Sequence, residues 1–481
     1  MSKKSYFTDF FDILFIILSN GISFCRVLSN AAAAVDEAGA MVYNQDNHHS
    51  ERGCNMDNRI QGFCEYLNHS HSAYHAQANL VEILKEQGYR QLEEAAAWSL
   101  APGGKYYVCR GGATVIAFRI PASSPKGFLI SAAHTDRPSF KLKENGERVG
   151  AYTGLSVERY GGALMAPWLD RPLSIAGRVL VETEQGAKAK LIDIQRDLML
   201  IPNVAIHMNR QANDGYKWNP VMDLNPLLGG KNAQGKLNKL LEQEAGGKIL
   251  GHDLYLYVRE EAKVWGMEEE YISAQGLDDL QSVWGCFQGF LTAPESQDIG
   301  VFCALNSEEI GSRTQNGADS SVMEDTLVRI AEGLGLDIRR LLSQSFLISA
   351  DNAHAIHPNH PELADPANAP VMGEGVVLKF NSNQRYCTDG LCAALFRKVC
   401  QKAGAKVQTY YNRPDIPGGS TLGCVSIAHV SVPTADIGLP QLAMHSCYET
   451  ASVADTLSLM EIMRSYYGST LVMDENGFAL R

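Results

Sequence analysis

The chain has 481 residues, 45% hydrophobic and 20% charged, with a formal net charge of −12. That length exceeds one ordinary core, so at least two domains are expected. The composition is that of a folded globular chain, and the acidic balance argues against a nucleic-acid binder, which would carry a basic field. Eleven cysteines are scattered without a CxxC or a regular framework. Cys286, Cys303 and Cys400 sit inside apolar runs as small buried hydrophobes, and a reducing, cytoplasmic compartment is the expectation.

Residues 1–55 read as an extension outside the folded core. Lys3 and Lys4 precede the apolar run Phe10–Leu18, which Asp12 interrupts and which is too short to span a bilayer. A clean amphipathic pattern (Ile60, Phe63, Leu67) opens after Met56, so the folded protein is expected to begin there. Asn79–Gln87 continues as a helix, with Gly88 in a natural C-cap position. Lys105–Arg110, Gly111-Gly112 and Ala113–Phe118 read as a β-hairpin. Gly127–Ser131 is a buried strand that delivers His134 and Asp136. A histidine at a strand end, with an acid two residues on, is either a metal ligand with a ring-orienting partner or a hydrogen-bonded surface pair.

Between residues 145 and 275 short β-type runs replace the strand–helix alternation, and Arg210 to Gly251, rich in Asn and Gly, reads as looped. This stretch is expected to be an inserted, mostly β domain for oligomer contact and for covering the site, between catalytic segments 56–144 and 276–481. Alternation returns at Gly276-Leu-Asp278-Asp279-Leu280, where the acids are either an N-cap pair or cation ligands. The apolar strand Ile299–Leu305 then leads into Asn306-Ser-Glu308-Glu309-Ile-Gly-Ser312. Adjacent carboxylates here either start a helix behind Ser307 as N-cap, or serve a cation. Ser345–Ala350 is a third apolar strand and ends in Asp351. His354, His357 and His360 read as loop or capping residues. Helical patterns follow at Leu391–Lys402 and Ala451–Tyr467, with a strand at Val407–Tyr411 between them, and the glycine-rich loop 417–423 precedes Met444-His445-Ser446. No P-loop, HExxH or GxSxG motif is present, which removes support from nucleotide hydrolysis, single-zinc proteolysis and serine-triad chemistry.

Taken together, His134, Asp278, Glu309, Asp351 and His445 all lie at or just beyond strand-like runs, where open α/β sheets place their sites. Two histidines and three carboxylates suit two divalent metals with one carboxylate shared. Glu308 is then left beside them, where a general base belongs.

The order HTD, LDD, NSEEIGS, SADNAHAIHPN, LKFNSNQRY, PGGSTLG and MHS closely resembles the aspartyl aminopeptidases, a branch of the co-catalytic zinc aminopeptidases. The resemblance covers the chain from about Met56 to its end. It implies a mostly parallel-sheet, phosphorylase/hydrolase-like α/β catalytic domain with an inserted, mostly β dimerisation domain. It implies two Zn2+ per subunit, exchangeable with Mn2+ or Co2+, on His134, Asp278, Glu309, Asp351 and His445, with Asp278 bridging. Glu308 would be the base and Asp136 the partner behind His134. A cis peptide after Asp278 is implied as well. Substrate-handling positions would be Lys379, suited to an acidic side chain, and Tyr386, with Ser420 and Thr421 in the glycine-rich loop. His207, in Ile201–His207, would help complete a neighbouring active site within a homo-oligomer, in this family a tetrahedral dodecamer. Arg137, Asp279 and Tyr448 depart from the usual residues, although Glu449 remains and no ligand is lost.

The expected reaction is removal of an N-terminal residue, preferably Asp or Glu, from a peptide with a free N-terminus. The expected partners are peptides, not nucleic acid, and no stable membrane insertion is expected. A neutral Leu/Met-type aminopeptidase is the alternative within enzymes, and a catalytically silent assembly protein on the same fold is the alternative outside them.

Overall fold

The computed structural model describes residues 57–416 and 418–481. The expected extension over 1–55 and the expected start at Met56 lie outside the described residues.

Three apolar runs form the strands Phe128–His134, Ile299–Leu305 and Phe346–Ala350, buried along their whole length. With Thr434–Gly438 they make four adjacent parallel strands, in the order 299, 128, 346, 434. Strands of this kind need cover on both faces, which is why they read as continuous hydrophobic runs. Successive side chains point to opposite faces. Leu129 and Ala133 therefore join one core cluster with the helices Leu277–Thr292 and Val453–Tyr467, while Ile130 and Ala132 join another with Val322–Leu334. Lys105–Arg110 and Thr114–Arg119 pair antiparallel as the expected hairpin, with Gly111 and Gly112 at φ 65° and 74°. With the short edge strand Arg90–Gln91 they flank one side, and Val376–Phe380 with Val407–Tyr411 flank the other, completing a nine-stranded, mostly parallel sheet. The mixed α/β class is the one expected.

A second, six-stranded sheet is antiparallel throughout and is built from strands between Ser139 and Val258. Its strand Ser139–Val149 crosses the 144/145 border expected from composition, since Phe140 and Leu142 already face this sheet's own core around Trp168. Lys263–Trp265 and Tyr271–Ala274 instead join Glu449–Ser452, Pro440–Leu442 and Ala353–His354 in a five-stranded sheet beside the site. The looped reading of Arg210 to Gly251 is corrected: Lys236–Ala245 is a helix that buries Leu237, Leu241 and Ala245 along one face. That four-residue spacing is a single helical stripe, bounded by Gly235 and Gly246 in left-handed conformations. The surrounding Asn and Gly residues masked it.

Candidate metal centre

His134 is the last residue of its strand and sits opposite Leu305 in the parallel register, so Glu308 and Glu309 emerge beside it. Asp351 follows the next strand, and Asp278 stands at the start of the helix Leu277–Thr292. The peptide between Asp278 and Asp279 is cis. His445 comes from the loop between Pro440–Leu442 and Glu449–Ser452, at φ 67°. His134 Nε2 lies 3.3 Å from Asp278 Oδ1. His445 Nε2 lies 3.6 Å from Asp278 Oδ2 and 3.4 Å from Glu309 Oε2. Three groups of candidate ligand atoms result here, His134–Asp278–Asp351, Asp278–Glu309–His445 and His134–Glu308–Glu309, each with its atoms within 4.8 Å of one another. Asp278 belongs to the first two.

The donor chemistry suits divalent cations. Asp278 Oδ1 and Glu309 Oε1 are buried without a hydrogen-bond partner, which is costly for anionic oxygens unless a cation faces them. Burial raises Glu308 to about 8, with Asp351, Asp136 and Asp278 adding to the rise. Burial and the neighbouring Asp278 push Glu309 well above the usual carboxylate range. Burial would raise Asp278 too, but its contact with His134 holds it below that range. A bound cation inverts this logic by favouring every ionised carboxylate around it.

A layer of hydrogen bonds holds these groups. The capping reading of Ser307 is corrected: it sits at φ 68° with no side-chain cap, and its hydroxyl accepts from Thr314. The N–H groups of Glu308 and Glu309 donate instead to the carboxylate of Asp136, at 3.0 and 3.2 Å, and Tyr160 O–H donates to it at 2.8 Å. His134 Nδ1 lies 3.1 Å from the main-chain oxygen of Asp136 and 3.5 Å from its Oδ1. Asp136 thus orders the turn that carries Glu308 and Glu309 as well as standing behind the histidine. Glu449 has no evident role in the sequence pattern. It is buried and accepts from the N–H of Asp278 at 3.0 Å and of His445 at 2.7 Å. Asp279 accepts the N–H of His134 at 3.2 Å. Only its adjacency to Asp278 hinted at this.

A cavity of about 260 Å³ opens over the cluster and is lined by His134, Asp278, Glu308, Asp351 and His445 on one side and by Lys379, Tyr386, Ser420 and Thr421 on the other. Lys379 is buried. It donates to the Asn352 carbonyl at 2.7 Å and lies 3.4 Å from Asp351, with its ammonium 5.4 Å from the Tyr386 ring centre. His354, read as a loop histidine, lies on a short strand and also lines the cavity. His207 is not brought there and lies exposed in the turn region after Ile201.

A family profile described as aminopeptidase I zinc metalloprotease (M18) matches residues 66–467. A protein of Clostridium acetobutylicum named M18 family aminopeptidase 2 is 38% identical over 419 residues, covering 84% of this chain and 97% of the relative. One of the same name from Pseudomonas paraeruginosa is 38% identical over 422 residues, covering 85% and 98%. Among solved structures, a complex of Ape4 and Nbr1 matches with a TM-score of 0.83 at 33% identity, covering 85% of each chain. The mApe1 dodecamer of S. cerevisiae matches with a TM-score of 0.75 at 24% identity, covering 85% of this chain and 95% of that one, a likeness of fold alone. With its clustered histidines and carboxylates, this chain belongs to the aminopeptidase I zinc metalloprotease (M18) family and is a zinc-dependent aminopeptidase.

Proposed function

We propose that the cavity removes an acidic N-terminal residue from peptides, using two zinc ions per subunit. His134, Asp278 and Asp351 would hold one ion and Asp278, Glu309 and His445 the other. The observation that carries this reading is the pair of ligand groups sharing Asp278. When bound, such a pair supplies Lewis acidity and lowers the pKa of a water. Glu308 takes the water's proton and returns it to the leaving amine, a role suited to a cavity-lining carboxylate that stands beside His134 and Glu309. Asp136 keeps its backbone in place, and Tyr386, Ser420 and Thr421 bound the space for the departing residue.

The acidic preference rests on Lys379. Two of its three ammonium protons face Asn352 and Asp351, which leaves the third for a substrate carboxylate. A panel of Asp, Glu, Leu and Met p-nitroanilides tests it. Faster turnover of Leu or Met than of Asp and Glu overturns the acidic reading in favour of the neutral aminopeptidase. Chelation should abolish activity, and Zn2+, Mn2+ or Co2+ should restore it.

The six-stranded sheet and its loops are the proposed oligomer contact. Val204, Ile206, Met208, Val221 and Met222 are exposed apolar residues within one short stretch of it, and exposed His207 lies among them to reach a neighbouring subunit's site. A dodecamer, as in the yeast mApe1 structure, is the proposed assembly. Among the described residues no helix is long and apolar enough to cross a membrane. The nine described cysteines are all free, which supports a reducing, cytoplasmic setting.

A further inference from the structure

Behind the wall of the cavity stands a second cluster that the peptidase chemistry does not use. Cys387 follows the cavity residue Tyr386, and Cys424 lies in the first turn of the helix Leu422–His429, just after Ser420 and Thr421. Their sulfurs are 3.8 Å apart. Both lie within 4.8 Å of a carboxylate oxygen of Asp436, which is fully buried in its strand. Two sulfurs bound tetrahedrally at ~2.3 Å from a zinc-like ion are themselves about 3.8 Å apart. The pair is therefore spaced as two ligands on one ion. The Cys424 thiol donates to the main-chain carbonyl oxygens of Arg385 and Gln384, at 2.7 and 3.1 Å. Cys424 is partly exposed, so an ion can enter from solvent.

We infer that Cys387, Cys424 and Asp436 form a third metal site, separate from the His/carboxylate centre and selective for a thiophilic d10 cation such as Cd2+ or Zn2+. Two thiolates and one carboxylate are a softer donor set than the nitrogen and oxygen ligands at the cavity floor. Binding expels the two thiol protons to solvent and leaves the metal's oxidation state unchanged. Asp436 also accepts the Thr421 hydroxyl at 2.8 Å and the Cys387 N–H at 2.5 Å. The loop approaches it so closely that a Cβ at Gly423 would lie 2.6 Å from Asp436 Oδ1. An ion drawing on that carboxylate competes with Thr421 and shifts the wall of the substrate cavity. Excess thiophilic metal should therefore slow the enzyme through a site that does no chemistry.

The test uses the full-length zinc-loaded protein, kept reduced with a phosphine, and Cd2+ alone as the probe. A sulfur-to-cadmium charge-transfer band in the ultraviolet should grow to one equivalent, and activity should fall with it. Cadmium exchanging into the His/carboxylate centre produces no such band. Cys387→Ser and Cys424→Ser should each lose the band, weaken Cd2+ binding at least tenfold and escape the inhibition. Thermal melting verifies that each variant is folded. No band in the parent protein, or a band retained in both variants, overturns the site. So does finding the two thiols joined as a disulfide in the reduced protein, two hydrogens lighter by mass.

Discussion

Glu449 offers the sharpest test of how the metal centre is held. Its carboxylate is buried and accepts the N–H groups of both Asp278 and His445, so one side chain orients the residue proposed to be shared between two ions and a proposed ligand of the second. Glu449→Gln keeps the shape and one accepting oxygen, but turns an NH2 group toward one of the two N–H donors. A buried donor is left unpaired at a cost of about 1–3 kcal/mol. Because the displaced backbone carries Asp278 or His445, much of that cost should fall on metal binding rather than on the fold. The expected outcome is a loss in zinc affinity of about 10–100-fold, the range found for groups that orient metal ligands. Zinc retained against a graded chelator series, read by elemental analysis with melting in parallel, measures it. Unchanged zinc retention in a variant that melts normally would refute the reasoning.

Glu308→Gln should keep its zinc and lose about 10²–10⁴-fold in kcat; near-normal turnover would remove Glu308 from the base role. Glu309→Gln should instead lower metal occupancy, seen in the metal-to-protein ratio of purified enzyme. Lys379→Ala should erode the preference for Asp and Glu substrates in the p-nitroanilide panel, and an intact preference would count against that lysine. Asp298 supplies a pH prediction away from the metals. It is buried, accepts the Leu471 N–H at 2.8 Å, and burial raises its pKa from 3.8 to about 6. A raised carboxylate stabilises the fold below the unfolded value and loses that contribution as pH climbs through the folded value. At ~1.4 kcal/mol per pH unit the window from 3.8 to about 6 carries at most about 3 kcal/mol. Asp298→Asn should therefore gain stability relative to the parent chain between pH 4 and pH 7, by denaturant titration at both pH values. A difference that stays flat or falls would contradict it.

The strand ends were legible because a buried parallel strand must be apolar throughout, so His134, Glu308–Glu309 and Asp351 stand out as polar residues at the close of such runs. Asp278 was legible as an acid flanked by Leu277 and Leu280, and His445 gained meaning only beside the other four strand-end residues. The capping of the turn at Glu308 and Glu309 was not readable. Asp136 lies 172 positions before Glu308, and only the pairing of their strands brings its carboxylate to those N–H groups. Ser307, the locally obvious cap, lost to it because its backbone turns left-handed.

By itself the sequence determined the α/β class, the apolar strands and the chemistry available at their ends, since periodicity and residue type are local properties. The tertiary structure decided what those ends do together. It showed that Asp278 faces both histidines, that Glu449 ties Asp278 to His445, and that two cysteines 37 positions apart meet Asp436 behind the cavity wall. These contacts depend on strand order and on crossover helices. The 3.6-residue and two-residue repeats of a sequence set which face a side chain takes, but not which distant strand lies beside it.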